Sequence, residues 1–346
     1  MSLSGLNWQL FPAWFALGLL ASVLSYFSCK IALRLALRSG MITEPGERQS
    51  HRHATPTGGG LGLVFSFIVS AIILQVFLPL PGFWWQNMLP GVLLLAAIGW
   101  LDDKRPVSTR LRLLVQLIAA VWLLGFDCLS GPLMQIGVCA ILLVALLWLM
   151  NLYNFMDGSN GMAGFQGVFS GLIMSALFFA AGEHAIALLA LLVAAVCAGF
   201  LPLNFPQAKV FMGDVASVPL GFVFGALAIY GLRSGAMGSA MAILIMAVFV
   251  VDATLTLLAR AIRGERWYTA HNQHIYQRLI VQGWSHARVL MVYQAINVLV
   301  ILPAIVLAYV YPQYAIVITV LILCLLGIGW YIAIRKLEAF PARRLE

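Results

Sequence analysis

Charged side chains are scarce in this sequence: Asp, Glu, Lys and Arg make up 9% of 346 residues, against roughly 25% in a soluble domain. Hydrophobic residues make up 62% and the mean hydropathy is +0.98, so a fold with water as its main solvent is excluded. Cysteines number five, Cys29, Cys128, Cys139, Cys197 and Cys324, with no CxxC spacing. Neither a disulfide framework nor a zinc site is expected from that odd, scattered set. Also missing are an Asn-x-Ser/Thr sequon, a polar linker, a low-complexity tract and an internal repeat, so 1–346 reads as a single polytopic domain. The first charge is Lys30. With no basic residue ahead of it, the long apolar run after Phe11 reads as a retained membrane helix rather than a cleaved secretory signal.

A membrane span needs about 20 mostly apolar residues. The apolar runs are Phe11 to Leu37, Gly58 to Leu78, Leu89 to Leu101, Leu111 to Phe126, Leu133 to Met150, Gly164 to Ala181, Ala185 to Leu203, Ala216 to Leu232, Ala236 to Ile262, Val289 to Tyr311 and Ala315 to Ile334. The expected fold is therefore all-α integral membrane, a bundle of about eleven transmembrane helices. Basic residues orient it, because they collect on the cytoplasmic side. With the N-terminus outside, Arg233 lies on the outer face and the other nineteen of the 20 Lys and Arg lie on the inner face. The C-terminus is then cytoplasmic, and the net charge of +8 is mainly a topology signal, not a nucleic-acid footprint. Outer loops are short and nearly uncharged, whereas inner loops hold most carboxylates and histidines, which is where function is sought.

Five inner clusters have the chemistry for a site. The first runs His51-Arg-His53, then Thr55-Pro-Thr-Gly58-Gly-Gly60 into a helix; glycines there either free N–H groups for an anion or let the helix pack closely. The second is Asp102-Asp103-Lys104; adjacent carboxylates near a membrane call for a cation, a proton or a basic partner, or are a solvated helix end. In the third, Asn151, Asn154 and Asp157 recur at steps of three before Gly158, presenting polar groups along a helix end, with a left-handed cap at Gly158 as the structural alternative. The fourth contains Asn204-Phe-Pro and Phe211-Met-Gly-Asp214-Val-Ala-Ser217; Asp214 suits a hard cation held by few carboxylates plus substrate phosphates, or else is an N-cap. The fifth joins Asp252, Thr256 and Arg260, one stripe of an apolar helix, to the loop His271-Asn-Gln-His274-Ile-Tyr276-Gln-Arg278. Asp252 lies about 12 Å along the axis from Arg260, so it faces the bundle interior, in a wet cavity or an ion pair. His271 and His274 are three apart and suit metal, phosphate or proton transfer.

The order of these clusters on one face resembles the polyprenyl-phosphate N-acetylhexosamine-1-phosphate transferase family over nearly the whole chain. The resemblance implies a Mg²⁺-dependent enzyme, with Mn²⁺ as the alternative ion. Such an enzyme moves a sugar-1-phosphate from a UDP-N-acetylhexosamine to a polyprenyl phosphate and releases UMP. It further implies that Asp214 is the metal-binding aspartate and Phe211 the uracil-stacking aromatic. Asn204 and Asp157 match nucleotide-contacting positions, and Asp102 and Asp103 the pair that activates the lipid phosphate or aids the metal. His271 and His274 match the histidine loop that positions diphosphate or sugar.

His51, Asn151, Asn154 and Arg278 complete the expected substrate-binding set. The last loop lacks the run of consecutive histidines of the peptidoglycan-precursor branch, which points to a branch that initiates O-antigen or other surface-glycan synthesis. The expected setting is a bacterial inner membrane with the active site on the cytoplasmic face, and a homodimer is compatible with the sequence. A secondary transporter is the alternative from another class, since many helices with intramembrane carboxylates also suit coupled transport.

Overall fold

The structure is a computed structural model that describes residues 11–43, 54–125, 133–265 and 272–339. Apolar runs bounded by Gly, Pro and charge form helices, the element that satisfies its own backbone in an apolar solvent. In chain order these are α1 (Phe11–Ser39), α2 (Gly60–Phe77), α3 (Leu89–Lys104), α4 (Thr109–Leu124), α5 (Leu133–Phe155), α6 (Met162–Ala180) and α7 (His184–Asn204). They continue with α8 (Asp214–Ser234), α9 (Ser239–Ile245), α10 (Ala247–Ile262), α11 (Ile275–Val281), α12 (His286–Ile296), α13 (Leu302–Val310) and α14 (Ala315–Ala339). The only described sheet is a short antiparallel pair, β1 (Ile42–Thr43) with β2 (Thr55–Pro56).

Helices α7 and α8 form the centre. Helix α8 lies against α3 and α5, and α7 against α1 and α6. Lipid tails are as apolar as leucine, so close backbone approach rather than a hydrophobic drive holds such helices together. Gly199 of α7 abuts the Ser22 carbonyl and Ser25 of α1, and beside it the Ser25 hydroxyl donates to the Val196 carbonyl at 2.7 Å. Gly62 of α2 rests on the α1 backbone at Ser28 and Cys29. At the periphery, α14 buries only Thr319, Ile334 and Leu337 and presents the rest of its apolar surface outward.

The all-α membrane architecture is as expected, but the count of spans differs. Among the described residues eight helices are long and apolar enough to cross a membrane, or nine if the α9–α10 pair, bent by 77°, is one span. Helices α3 and α4, at the expected third and fourth spans, have 16 residues each, short of the roughly 20 a straight crossing takes. The run from Ala236 to Ile262 breaks at Met246 instead of continuing straight. The Ile245 carbonyl released there accepts from Gln166 Nε2 at 3.0 Å, and Gln166 Oε1 accepts from Asn297 at 2.8 Å. Asn297 itself opens a π-helical turn, Asn297–Ile301, inside another expected span. A buried side chain that takes up a freed carbonyl is what permits such breaks in apolar surroundings.

Cys139 on α5 is disulfide-bonded, contrary to the expectation from the cysteine count, while Cys29, Cys197 and Cys324 are free thiols. An odd total still allows one pair.

Placing a branched side chain at the α1–α7 contact tests the packing argument. Gly199→Val should cost about 1–3 kcal/mol through overpacking, read as a lower melting temperature in detergent, while Gly137→Val, whose site is open, should melt like the wild type.

Candidate active site

The start of α8 organises the acidic residues. Gly213 adopts φ 76°, a left-handed conformation that favours glycine, and its missing Cβ leaves room for the Asp103 carboxylate. Asp103 then caps α8 from another helix: Oδ1 accepts from the Asp214 N–H at 3.0 Å and Oδ2 from the Val215 N–H at 3.3 Å. Asp214 is thus the first residue of α8 and not its N-cap, and its side chain is left for other work. Gly99 allows α3 to reach the Asp214 carbonyl, so the pair Asp102-Asp103 arrives at the same point.

Arg112, on the first turns of α4, binds two of these carboxylates with one nitrogen. Its Nη1 lies 2.8 Å from Asp102 Oδ2 and 3.0 Å from Asp214 Oδ2. Asp102 Oδ1 also accepts from the Val107 N–H at 2.6 Å. The Asn154 amide donates to Asp214, and Asp157, in the turn after α5, accepts from the Gly213 N–H. Four carboxylates from three parts of the chain therefore meet at the start of α8, two of them on one guanidinium.

Their environments differ. Beyond the apolar run of α3 that ends at Leu101, burial pushes the Asp103 carboxyl up to about 7, with the Asp214 charge adding to the shift. Burial, then the charges of Asp214 and Asp103, raises the Asp157 carboxyl well above the ordinary range. Such mutual repulsion is relieved by a proton or a cation. Among the described residues no three His, Cys, Asp or Glu side chains converge as a ready-made metal cage. Beside Asp103 a cavity of about 300 Å³ is lined by Ser39 to Ile42, Lys104 and Arg105, a basic wall next to the acidic cluster.

Of the expected site residues, the structure brings together Asp102, Asp103, Asn154, Asp157 and Asp214. Others are occupied by the fold. The Asn151 amide donates to Gln116 at 2.7 Å and to the Leu147 carbonyl at 2.8 Å, tying α5 to α4. Asn204 accepts from the Gly161 N–H at 2.7 Å and donates to the Val210 carbonyl at 3.0 Å, holding two loops together. Arg278 donates to the Gln273 carbonyl at 3.0 Å and lies 3.7 Å from Glu338 of α14.

Phe211 is pinned through its backbone, its N–H to the Pro56 carbonyl at 2.8 Å and its carbonyl to the Gly59 N–H at 3.0 Å, with its ring half-buried. The Gly60 N–H likewise goes to the Met212 carbonyl at 2.9 Å. Of the two readings of the glycine run, close packing is the one observed. The left-handed glycine of the next turn is Gly161, at φ 77°, not Gly158.

Arg260 pairs with Glu265 at 2.8 Å, and Asp252 accepts from the Tyr293 hydroxyl at 2.6 Å and the Ile275 N–H at 3.1 Å. His274 is buried, stacked between Phe155 and Tyr276. Burial holds its imidazole below the ordinary value, so it is neutral near pH 7. His51 and His271 lie outside the described residues.

Sequence reasoning passed over two participants. Arg112 was grouped with the topology-setting cations, although its place on the turn after Asp102-Asp103 was a signal. Tyr276, fully buried, was one residue of a basic loop with nothing in its spacing to mark it.

Residues 85–232 match the model of glycosyl transferase family 4. The chain is 31% identical over 324 residues, 82% of its length and 79% of the relative's, to the decaprenyl-phosphate N-acetylglucosaminephosphotransferase of Mycolicibacterium smegmatis. It is 28% identical over 294 residues, 80% of each chain, to the probable undecaprenyl-phosphate N-acetylglucosaminyl 1-phosphate transferase of Bacillus subtilis. Against the phospho-N-acetylmuramoyl-pentapeptide-transferase of Staphylococcus aureus it is 26% identical over 323 residues, 82% of this chain and 96% of the relative.

If Asp103 is the cap of α8, Asp103→Ala should cost about 1–3 kcal/mol by stranding two backbone donors. Asp103→Asn, which keeps one acceptor, should cost less, and thermal unfolding in detergent ranks the two.

Proposed function

Since the chain belongs to glycosyl transferase family 4, the polyprenyl-phosphate N-acetylhexosamine-1-phosphate transferases, we propose that it moves N-acetylhexosamine-1-phosphate from a UDP-sugar to a polyprenyl phosphate, releasing UMP. The observation that carries this reading is the meeting of Asp102, Asp103, Asp157 and Asp214 with Arg112 and Asn154 at helix ends. Coupled transport, the other class considered, has no support among relatives with transferase names, and here the acidic side chains gather at helix ends.

A divalent cation fits this donor set, because four carboxylates meet a single guanidinium there and their repulsion is only partly compensated. Asp214, with Asp102 in hydrogen-bonding contact, would hold Mg²⁺, or Mn²⁺, together with diphosphate oxygens. When bound, the ion supplies charge stabilisation to the phosphoryl group in transit.

The protein's own groups do the rest. Arg112 orients Asp102 and Asp214, and Asn154 fixes the second of these. Asp102 and Asp103 have both oxygens engaged by protein donors, whereas the described bonds give Asp157 one backbone donor. Asp157, in its carboxylate form, is therefore the base that takes the proton of the incoming lipid phosphate, and burial raises its affinity for that proton, a role worth about 10²–10⁴ in rate. An oxygen of that phosphate then forms a bond to the sugar-bearing phosphorus as the bridging P–O bond breaks, and the electron pair leaves on UMP. Lys104 and Arg105, lining the adjacent cavity, supply positive potential for the anionic substrates.

The topology that accompanies this reading counts the bent α9–α10 pair as one span and α3 and α4 as short crossings, about eleven in all, with the N-terminus outside and the site on the cytoplasmic face of a bacterial inner membrane. Two observations support it: nineteen of the 20 Lys and Arg fall on that side, and the disulfide-bonded Cys139 sits toward the end of α5 opposite Asp157, as an oxidising outer compartment requires. Several relatives' names favour N-acetylglucosamine as the sugar, and the use of the product in this reading is the initiation of a surface glycan such as O-antigen.

Purified protein given polyprenyl phosphate and UDP-N-acetylglucosamine should release UMP only when Mg²⁺ or Mn²⁺ is present. Asp214→Ala should abolish turnover, and wild-type rate with unchanged metal dependence in that variant would remove Asp214 from the metal site. Asp157→Asn should lower kcat at least about 100-fold with the melting temperature preserved.

A further inference from the structure

Asp252 has no part in the acidic cluster, yet it is a buried carboxylate in an apolar helix, where such groups are retained only with partners. Its partners lie on other elements. Oδ1 accepts from the Ile275 N–H at 3.1 Å, one of the open donors at the start of α11. Oδ2 accepts from the Tyr293 hydroxyl of α12 at 2.6 Å. That same hydroxyl accepts from the Tyr276 N–H, and the His274 ring donates to the Asp252 main-chain carbonyl. The first two backbone donors of α11 are thus satisfied by α10 and α12, which docks this short helix in one orientation.

Docking α11 places Tyr276. Its side chain is fully buried, its hydroxyl donates to the Phe155 carbonyl at 2.8 Å, and the same oxygen accepts from the Gly158 N–H. Gly158 has no room for a Cβ because the Tyr276 hydroxyl occupies that space. One phenol oxygen therefore ties the chain on both sides of Met156-Asp157, the two residues between those anchors. The turn 155–158 has no helix continuing through it, so this clamp is its tie on that side.

We infer that Asp252 and Tyr276 are positioning residues for the transfer reaction: Asp252 docks α11, and the Tyr276 hydroxyl clamps the turn that aims Asp157 into the acidic cluster. Neither touches the reacting atoms. This rests on the transferase reading for its kinetic arm, but the clamp itself is tested without turnover.

The experiment compares Tyr276→Phe, Asp252→Asn and Asp252→Leu in detergent by thermal melting, by amide hydrogen exchange, and by kcat and KM for both substrates. Tyr276→Phe removes one oxygen and keeps the ring. It should melt near the wild type, exchange faster over residues 155–158 but not over 275–281, and lose at least about tenfold in kcat with both KM values within about threefold. Asp252→Leu should speed exchange over both segments and lose kcat further, while Asp252→Asn, which keeps an acceptor for the Ile275 N–H, should recover part of both. Wild-type exchange at 155–158 in Tyr276→Phe and Asp252→Leu would overturn the clamp. Faster exchange with unchanged kcat in Tyr276→Phe would overturn its bearing on catalysis. If the wild-type protein released no UMP, the transferase reading would fail while the exchange arm still decided the clamp.

Discussion

Acidic side chains crowded at the rim of an apolar bundle repel one another, and each pays a desolvation cost for being charged there. The arrangement around the start of α8 exists because three different compensations meet at that point. The exposed N–H groups of the helix, with the positive end of its dipole, take up the Asp103 carboxylate. One guanidinium, Arg112, is shared by Asp102 and Asp214. Asp157 has the Gly213 N–H as its one described donor, and what that bond leaves over is the part a proton or a cation can satisfy. In the proposed function, this same imbalance is what would make the site receptive to a nucleotide diphosphate bound with an ion.

Small residues make such crowding possible. Gly99 and Gly213 admit backbone and carboxylate where any Cβ would intrude, so the ends of α3 and α8 come into contact. The glycines after Pro56 do the same for α2 and the segment before Asp214, with Gly59 and Gly60 donating to the backbone of residues 211 and 212. Close packing of this kind uses the van der Waals and hydrogen-bond terms that remain available in lipid. It also gives the acidic cluster a stiff frame, since a displaced α3 would strip the cap from α8.

A second polar system runs through the apolar interior. Gln166, Asn297 and the freed Ile245 carbonyl stabilise the bend between α9 and α10, and α10 then carries Asp252 to the base of α11. Among the described residues, buried Gln116, Gln166, Asn204, Asp252 and Asn297 sit where helices break or dock, and each has a partner on a different element.

How much of this was legible beforehand follows from the range of the interactions involved. Composition and apolar run length depend on the solvent alone, so the all-α membrane bundle could be read directly. The acidic residues of the site could also be named, because carboxylates are so rare here that each one at a helix end needs a reason. What the linear order could not assign was division of labour. Asp103 as the cap of α8, Arg112 as the bridge, Asn151 and Asn204 as structural ties, and Asp252 as the dock for α11 are all decided by contacts between distant segments. The breaks at Met246 and Asn297 belong to the same class, since an apolar run looks uninterrupted until a side chain from another helix offers its carbonyls a partner. Residue chemistry set which groups had to be compensated; only the packing of the helices decided by which partner, because hydrogen bonds and ion pairs act over a few ångströms and carry no mark in the spacing of the chain.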